Sequence, residues 1–291
     1  LLLSSIKNIN TENNNKYILM KIKINLLAAV AVIVSVSLFS CGRGAKKNDP
    51  NHIKVGVESG PEFAVAEAAQ KVAKEKFGLE VELVQFNDFV MPNEALSQGD
   101  LDVNVFQNKP YLDVQTKQRG YKFAIQGNTF VFPLAGYSKK IKKIEELKEG
   151  NTIIIPNDPT NGGRALLLLQ KSGLLKLKDG VGLLPTVNDI TENPKKIKIL
   201  ELEAPQLPRA LDDQNVTIAV INNTFASSAG LIADRDGLIV EDKKSPYVNI
   251  IVSREDNKDE EKIKKFVKAF QSEEVEAAAA KIFKGGAVKG W

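Results

Sequence analysis

"IIIPNDPTNGGRALLLLQ", residues 153–170, is the stretch whose reading decides the fold. Three isoleucines run into a Pro/Asn/Gly turn, and the turn opens directly onto a leucine-rich segment that stops at Gly173. A β-branched run, a tight turn and a helical segment, in that order, form the repeating unit of an α/β domain. Working outward, further strand signals lie at 53–57 (IKVGV), 81–86 (VELVQF), 102–106 (DVNVF), 196–200 (KIKIL), 217–221 (TIAVI) and 248–252 (VNIIV). Helical segments lie between them. In 62–78, Phe63, Ala66, Ala69, Val72, Ala73 and Phe77 fall near 3.6 spacing, and Gly78 ends the pattern. The stretch 162–173 reads the same way.

Two such series are visible, one opening at Ile53 and one at Thr152, without sequence repetition. Two extended stretches, "NTFVFPLAGYSKK" (128–140) and "SPYVNIIVSRED" (245–256), flank the second series as crossovers. The expectation is two lobes, each a mostly parallel sheet flanked by helices, joined by a two-segment hinge. Lobe 1 would comprise 52–132 and 247–291, and lobe 2 residues 133–246. Clefts between lobes are favoured ligand sites, and in open parallel sheets the ligand lies beyond the carboxyl ends of the strands.

The chain's ends and composition exclude several functions. Lys21 and Lys23 precede the apolar run 26–39, which is shorter than the roughly 20 residues of a spanning helix. The run ends at Ser40 and Cys41, so 20–40 reads as a signal peptide and Cys41 as a lipidation site. Residues 1–19 read as an extension ahead of Met20, and 41–51 as a tether. With the only cysteine so used, no disulfide and no cysteine-based metal site is expected. The single histidine, His52, lies in the tether region, which leaves no histidine for a catalytic triad or a zinc site. Beyond residue 41 the chain carries 36 basic and 35 acidic side chains and no basic stripe, so nucleic acid is not an expected partner.

Candidate ligand contacts follow the strands. If a helix starts at Gly162, Arg164 sits in its first turn, where a cation opposes the helix dipole at a cost of up to about 1 kcal/mol. A bound carboxylate there would remove the conflict, since backbone N–H groups and the guanidinium fork would converge on it. Gly162 and Gly163 would let the ligand approach the backbone. The alternative is an exposed arginine beside a flexible turn. Asn222 and Asn223 end another strand, where they either cap the next helix or accept a hydrogen bond from a ligand ammonium. Phe106, Asn108 and Tyr111 follow the strand at 102–106, and Phe89 follows the one at 81–86. Those rings are either core residues or the walls of an apolar subsite. Together the candidates suit a zwitterion with an apolar side chain.

The segments 92–113 (PNEALSQGDLDVNVFQNKPYLD), 128–142 (NTFVFPLAGYSKKIK), 155–187 (IPNDPTNGGRALLLLQKSGLLKLKDGVGLLPTV), 200–213 (LELEAPQLPRALDD) and 243–256 (KKSPYVNIIVSRED) resemble the methionine-binding lipoproteins of the NlpA/MetQ family. The resemblance runs from about Asn51 to Trp291. It implies a type II periplasmic-binding-protein fold, L-methionine or a close derivative as ligand, and an ABC importer permease with its ATPase as partner. It implies no cofactor. Carried over residue by residue, it places Phe89, Phe106 and Tyr111 around the ligand side chain, and Asn161, Arg164 and Asn222 on its carboxylate and ammonium. Relatives carry tyrosine at the position of Phe89 and histidine at that of Asn108. D-methionine or a methionine-containing dipeptide is the alternative ligand. An enzyme, or a sensor or adhesion lipoprotein, on the same fold is the alternative function.

The lipidation reading has a direct test. Cys41→Ser is expected to leave the protein soluble or unprocessed on fractionation of cells. A mature, lipid-modified, membrane-bound variant would refute it.

Overall fold

The computed structural model describes residues 49–284 and 286–291. The extension 1–19, the signal peptide and Cys41 lie outside the described residues, as does the tether up to residue 48. The chain opens β1 (His52–Glu58), α1 (Pro61–Phe77), β2 (Glu80–Phe86), α2 (Met91–Gln98), β3 (Val103–Asn108) and α3 (Lys109–Arg119). It continues through β4 (Phe123–Val131), β5 (Ala135–Tyr137), β6 (Thr152–Pro156), α4 (Pro159–Lys171), β7 (Lys176–Leu177), β8 (Ile190–Glu192) and β9 (Lys198–Leu202). Then come α5 (Leu207–Ala210), β10 (Val216–Ile221), α6 (Asn223–Ser228), α7 (Ala233–Asp236) and β11 (Gly237–Val240). β12 (Val248–Arg254), α8 (Glu261–Phe270), α9 (Glu273–Ile282) and β13 (Val288–Lys289) complete it.

Two sheets result. The first has the order β13-β4-β12-β3-β1-β2 and the second β11-β5-β10-β6-β9, while β7 and β8 pair separately. The chain passes from the first sheet to the second at 132–134, between β4 and β5, and returns at 241–247, between β11 and β12. All seven strand signals fall on strands, and 152–156 coincides with β6.

Neither sheet is mostly parallel. β1 pairs in parallel with β2 and β3, and β6 with β9 and β10. The strands that lead into or out of the crossings run antiparallel: β12 against β3 and β4, and β5 against β10 and β11. The reason lies in the connections. A helical crossover returns the chain in the same direction, whereas β5 and β12 enter their sheets directly from the two crossings, with no helix before them.

β6 is buried at every residue because both of its faces are covered. Ile153 and Ile155 pack with Leu166 and Leu169 of α4. Ile154 faces the other way, onto Leu207, Ala219 and Phe225. In the first sheet Ile53, Val55 and Val57 pack against Val65, Ala69 and Val72 of α1 and Phe266 and Phe270 of α8. Gly78 ends α1 in the left-handed region, φ 59°, with its N–H bonded back to Lys74 O.

α4 begins three residues earlier than its apolar pattern suggests. Asp158 is its N-cap, accepting from the Asn161 N–H at 2.9 Å, and Pro159 is its first residue. The glycines therefore lie inside the helix. A Cβ on Gly162 would stand 2.8 Å from the Pro156 carbonyl oxygen, and one on Gly163 2.9 Å from that of Leu183. They make room for protein backbone, not for a ligand. Since Pro156 ends a fully buried strand, Gly162→Ala is expected to cost about 1–2 kcal/mol, overpacking outweighing the helix propensity gained. Urea denaturation of the variant beside the parent protein measures the loss.

Candidate functional site

A cleft with about 380 Å³ of unfilled space opens where the carboxyl ends of β3, β6 and β10 meet. Its walls include Phe89, Phe106, Asn108, Tyr111, Asn161, Arg164 and Asn222, so all seven candidates come together. Glu62, Phe132 and Asn249 also line it, and none of these three was singled out from the sequence.

The aromatic wall is a triangle. Centroids of Phe89, Phe106 and Tyr111 lie 6.1 Å apart pairwise, with Tyr111 edge-on to both phenylalanines. The Tyr111 hydroxyl donates to the Phe89 carbonyl oxygen at 2.8 Å, which fixes the corner. Phe89 also packs on Phe225 of α6, centroids 5.0 Å apart, so it bridges elements of both sheets.

Asn108 does two things at once. Its Oδ1 accepts from the Tyr111 N–H at 3.0 Å and caps α3, with Pro110 at the second helical position. The residue is buried and faces the cleft, which leaves Nδ2 as its free donor.

Arg164 is not where the dipole argument puts it. It lies in the second turn of α4, and its charge is already answered. Nε donates to Glu241 Oε1 at 2.9 Å, and Nη2 donates to Glu241 Oε2 and to the Phe132 carbonyl oxygen. Its Cζ stands 4.4 Å from the centroid of the Tyr247 ring. The hydrogen bonds hold the Nε/Nη2 edge, so Nη1 is the edge a ligand carboxylate would meet.

The amides form a relay. Asp158 accepts from both the N–H and the Nδ2 of Asn161, each at 2.9 Å. Asn161 Oδ1 in turn accepts from Asn222 Nδ2 at 2.8 Å. Asn161 is thus spent on orienting Asn222. Asn222 occupies the N-cap position of α6 but makes no side-chain cap bond. Its Oδ1 is buried without a hydrogen-bond partner. A buried acceptor left unanswered costs about 1–3 kcal/mol, a cost that a ligand ammonium would remove.

Two carboxyl groups are buried here, Glu62 on the cleft and Glu58 beside it. Glu62 accepts from the Thr224 hydroxyl, which ties α1 to α6, and burial pushes it up to about 7 against the lowering effect of that bond. Glu58 ends β1 with neither oxygen partnered. Burial, with Glu62 and Asp88 as like-charged neighbours, pushes it up to about 9. Among the described residues no group of histidine, cysteine, aspartate and glutamate side chains could hold a metal ion.

Residues 53–291 match the family described as NlpA lipoprotein. The chain belongs to that family. Its similarity to the D-methionine-binding lipoprotein MetQ of Escherichia coli K12 is 66% identity over 273 residues, covering 94% of this chain and 100% of the relative. Among solved structures, the methionine-binding protein MetQ is 69% identical with a TM-score of 0.83, covering 84% of this chain and 99% of that one. A nutrient-binding protein from Burkholderia cenocepacia bound to methionine is 51% identical with a TM-score of 0.80, covering 82% and 100%.

The residues missed in this NlpA-family chain were missed for definable reasons. Candidates came only from positions just after strands. Glu62 sits in the first turn of a helix and Asn249 within β12. The polar Asn249 inside the apolar run "YVNIIV" was a readable signal; its Nδ2 donates to the Phe106 carbonyl oxygen at 3.0 Å. Glu241 had no local signal, because its partner lies 77 residues away.

Glu58 yields a pH dependence. An acid whose folded pKa stands above its ordinary 4.5 holds its proton longer in the folded state. Its contribution to stability is therefore fully present below about pH 4.5 and is lost as pH rises towards 9. Glu58→Gln is expected to raise stability at pH 8 by a few kcal/mol, at about 1.4 kcal/mol per pH unit, and to change it little at pH 4. Denaturation midpoints at the two pH values test this.

Proposed function

We propose that this cell-envelope lipoprotein captures methionine in the cleft and delivers it to the permease and ATPase of an ABC importer, tethered to the membrane through lipid on Cys41. It is a binding protein of the NlpA family, not a catalyst. The observation that carries the reading is the convergence in one cleft of an arginine edge, an unanswered amide acceptor and three aromatic rings. In this reading the ligand carboxylate meets Nη1 of Arg164, with Nδ2 of Asn108 at the rim. The ammonium donates to Asn222 Oδ1, which Asn161 orients. The thioether chain lies among Phe89, Phe106 and Tyr111. Residues 52–132 with 247–291 form one lobe and 133–246 the other, and the two crossings act as the hinge that closes them over the ligand.

The methionine-bound Burkholderia relative supports the choice of ligand. A second reading, with D-methionine preferred, is favoured by the name of the Escherichia coli relative, a D-methionine-binding lipoprotein. L-methionine remains our primary assignment.

Native mass spectrometry of protein purified without added ligand is expected to show one methionine of added mass. In calorimetric competition, methionine should exceed norleucine by roughly two- to tenfold, the size of sulfur–aromatic contacts, and glutamate or lysine by far more. The same titration with both enantiomers ranks L- against D-methionine. Equal competition by charged amino acids would overturn the assignment of the cleft.

A further inference from the structure

Glu241 lies outside the wall of the cleft, yet it governs the one cation on that wall. Its two oxygens take the Nε and Nη2 of Arg164, and the two side chains are 14% and 5% exposed respectively. Its backbone N–H donates to the Leu134 carbonyl oxygen at 2.8 Å, and its Oε2 accepts from the Leu134 N–H at 3.2 Å. Glu241 begins the second crossing and Leu134 belongs to the first. The guanidinium is also held by Phe132 of the first crossing and covered by the Tyr247 ring of the second. An arginine that starts on α4 is therefore fixed in space by both segments that connect the sheets.

We propose that Glu241 is a positioning and specificity-determining residue: it aims the Nη1 edge of Arg164 into the cleft and cancels its charge, so that the site selects a zwitterion over an anion. This rests on the reading that the cleft takes methionine.

The physical reason is the charge balance of a poorly solvated site. A lone buried guanidinium would attract any carboxylate strongly, because the interaction is weakly screened there. With Glu241 attached, the pair is neutral. A zwitterion leaves the site neutral, its carboxylate on Arg164 and its ammonium on Asn222. A ligand carrying only a carboxylate adds a net negative charge beside Glu241 and leaves the Asn222 oxygen unanswered. Discrimination of this kind works through the penalty on the wrong ligand rather than through extra attraction for the right one.

The test compares methionine with 4-(methylthio)butanoate, which is methionine without its ammonium group. Calorimetry is run on the folded wild type, Glu241→Gln and Glu241→Asp. In wild type, methionine should bind and the anion should bind far more weakly. Glu241→Gln removes the charge while keeping a planar polar group, and the affinity of the anion relative to methionine should rise at least tenfold. Glu241→Asp keeps the charge but shortens the arm. It should hold that ratio within about threefold of wild type while weakening methionine itself by about tenfold, because the guanidinium is no longer aimed. An unchanged ratio in Glu241→Gln overturns the selectivity role. If Glu241→Gln does not fold, Glu241→Asp decides alone, since methionine affinity within twofold of wild type overturns the positioning role. Wild type that binds no methionine overturns the reading of the cleft, an outcome distinct from failure of either variant.

Discussion

The buried pair between Arg164 and Glu241 is the interaction on which the candidate site depends. A guanidinium that is almost fully enclosed requires a partner, and removal of one member of such a pair costs about 3–5 kcal/mol. Here the partner comes from the segment that leads back to the first sheet, while Phe132 of the outgoing segment takes a third hydrogen bond. The two crossings are thereby stitched together at the residue that faces the cleft. A single charge pair thus links the connection between the sheets to the chemistry of the pocket.

Around that pair the polar groups are arranged in order of what they leave free. Asp158 is consumed by Asn161, and Asn161 by Asn222, so that the only unanswered atom in the relay is Asn222 Oδ1. Asn108 spends its oxygen on capping α3 and retains its donor. Native proteins satisfy nearly all their buried polar atoms, and an exception at the wall of a cleft points to something that binds there. The aromatic triangle adds a polarizable apolar surface beside those groups.

The buried acids Glu62 and Glu58 act in the opposite direction. Glu62 earns a hydrogen bond from Thr224, but Glu58 has none, and burial raises the pKa of both. Burial is why these carboxyl groups retain protons above the ordinary carboxylate range, with Glu62 and Asp88 adding to the effect at Glu58. The same poor solvation weighs against an unpaired anionic ligand in the proposed site.

Local pattern determined a large part of this protein. The strand runs, Gly78 after α1 and the isoleucine run of β6 are written in residues that are close in sequence, because period-2 and 3.6-residue patterns report burial directly. The candidates that converge on the cleft were legible too, since α/β folds bring the ends of their strands together. Tertiary structure alone decided the rest. Gly162 and Gly163 face protein rather than ligand, and the crossing strands turn both sheets mixed, whereas the start of α4 at Pro159 rests on a local cap from Asp158. Above all, the partner of Arg164 stands 77 residues away in the chain. No periodicity links two charges at that separation; only the return of the chain from the second sheet to the first brings them into contact.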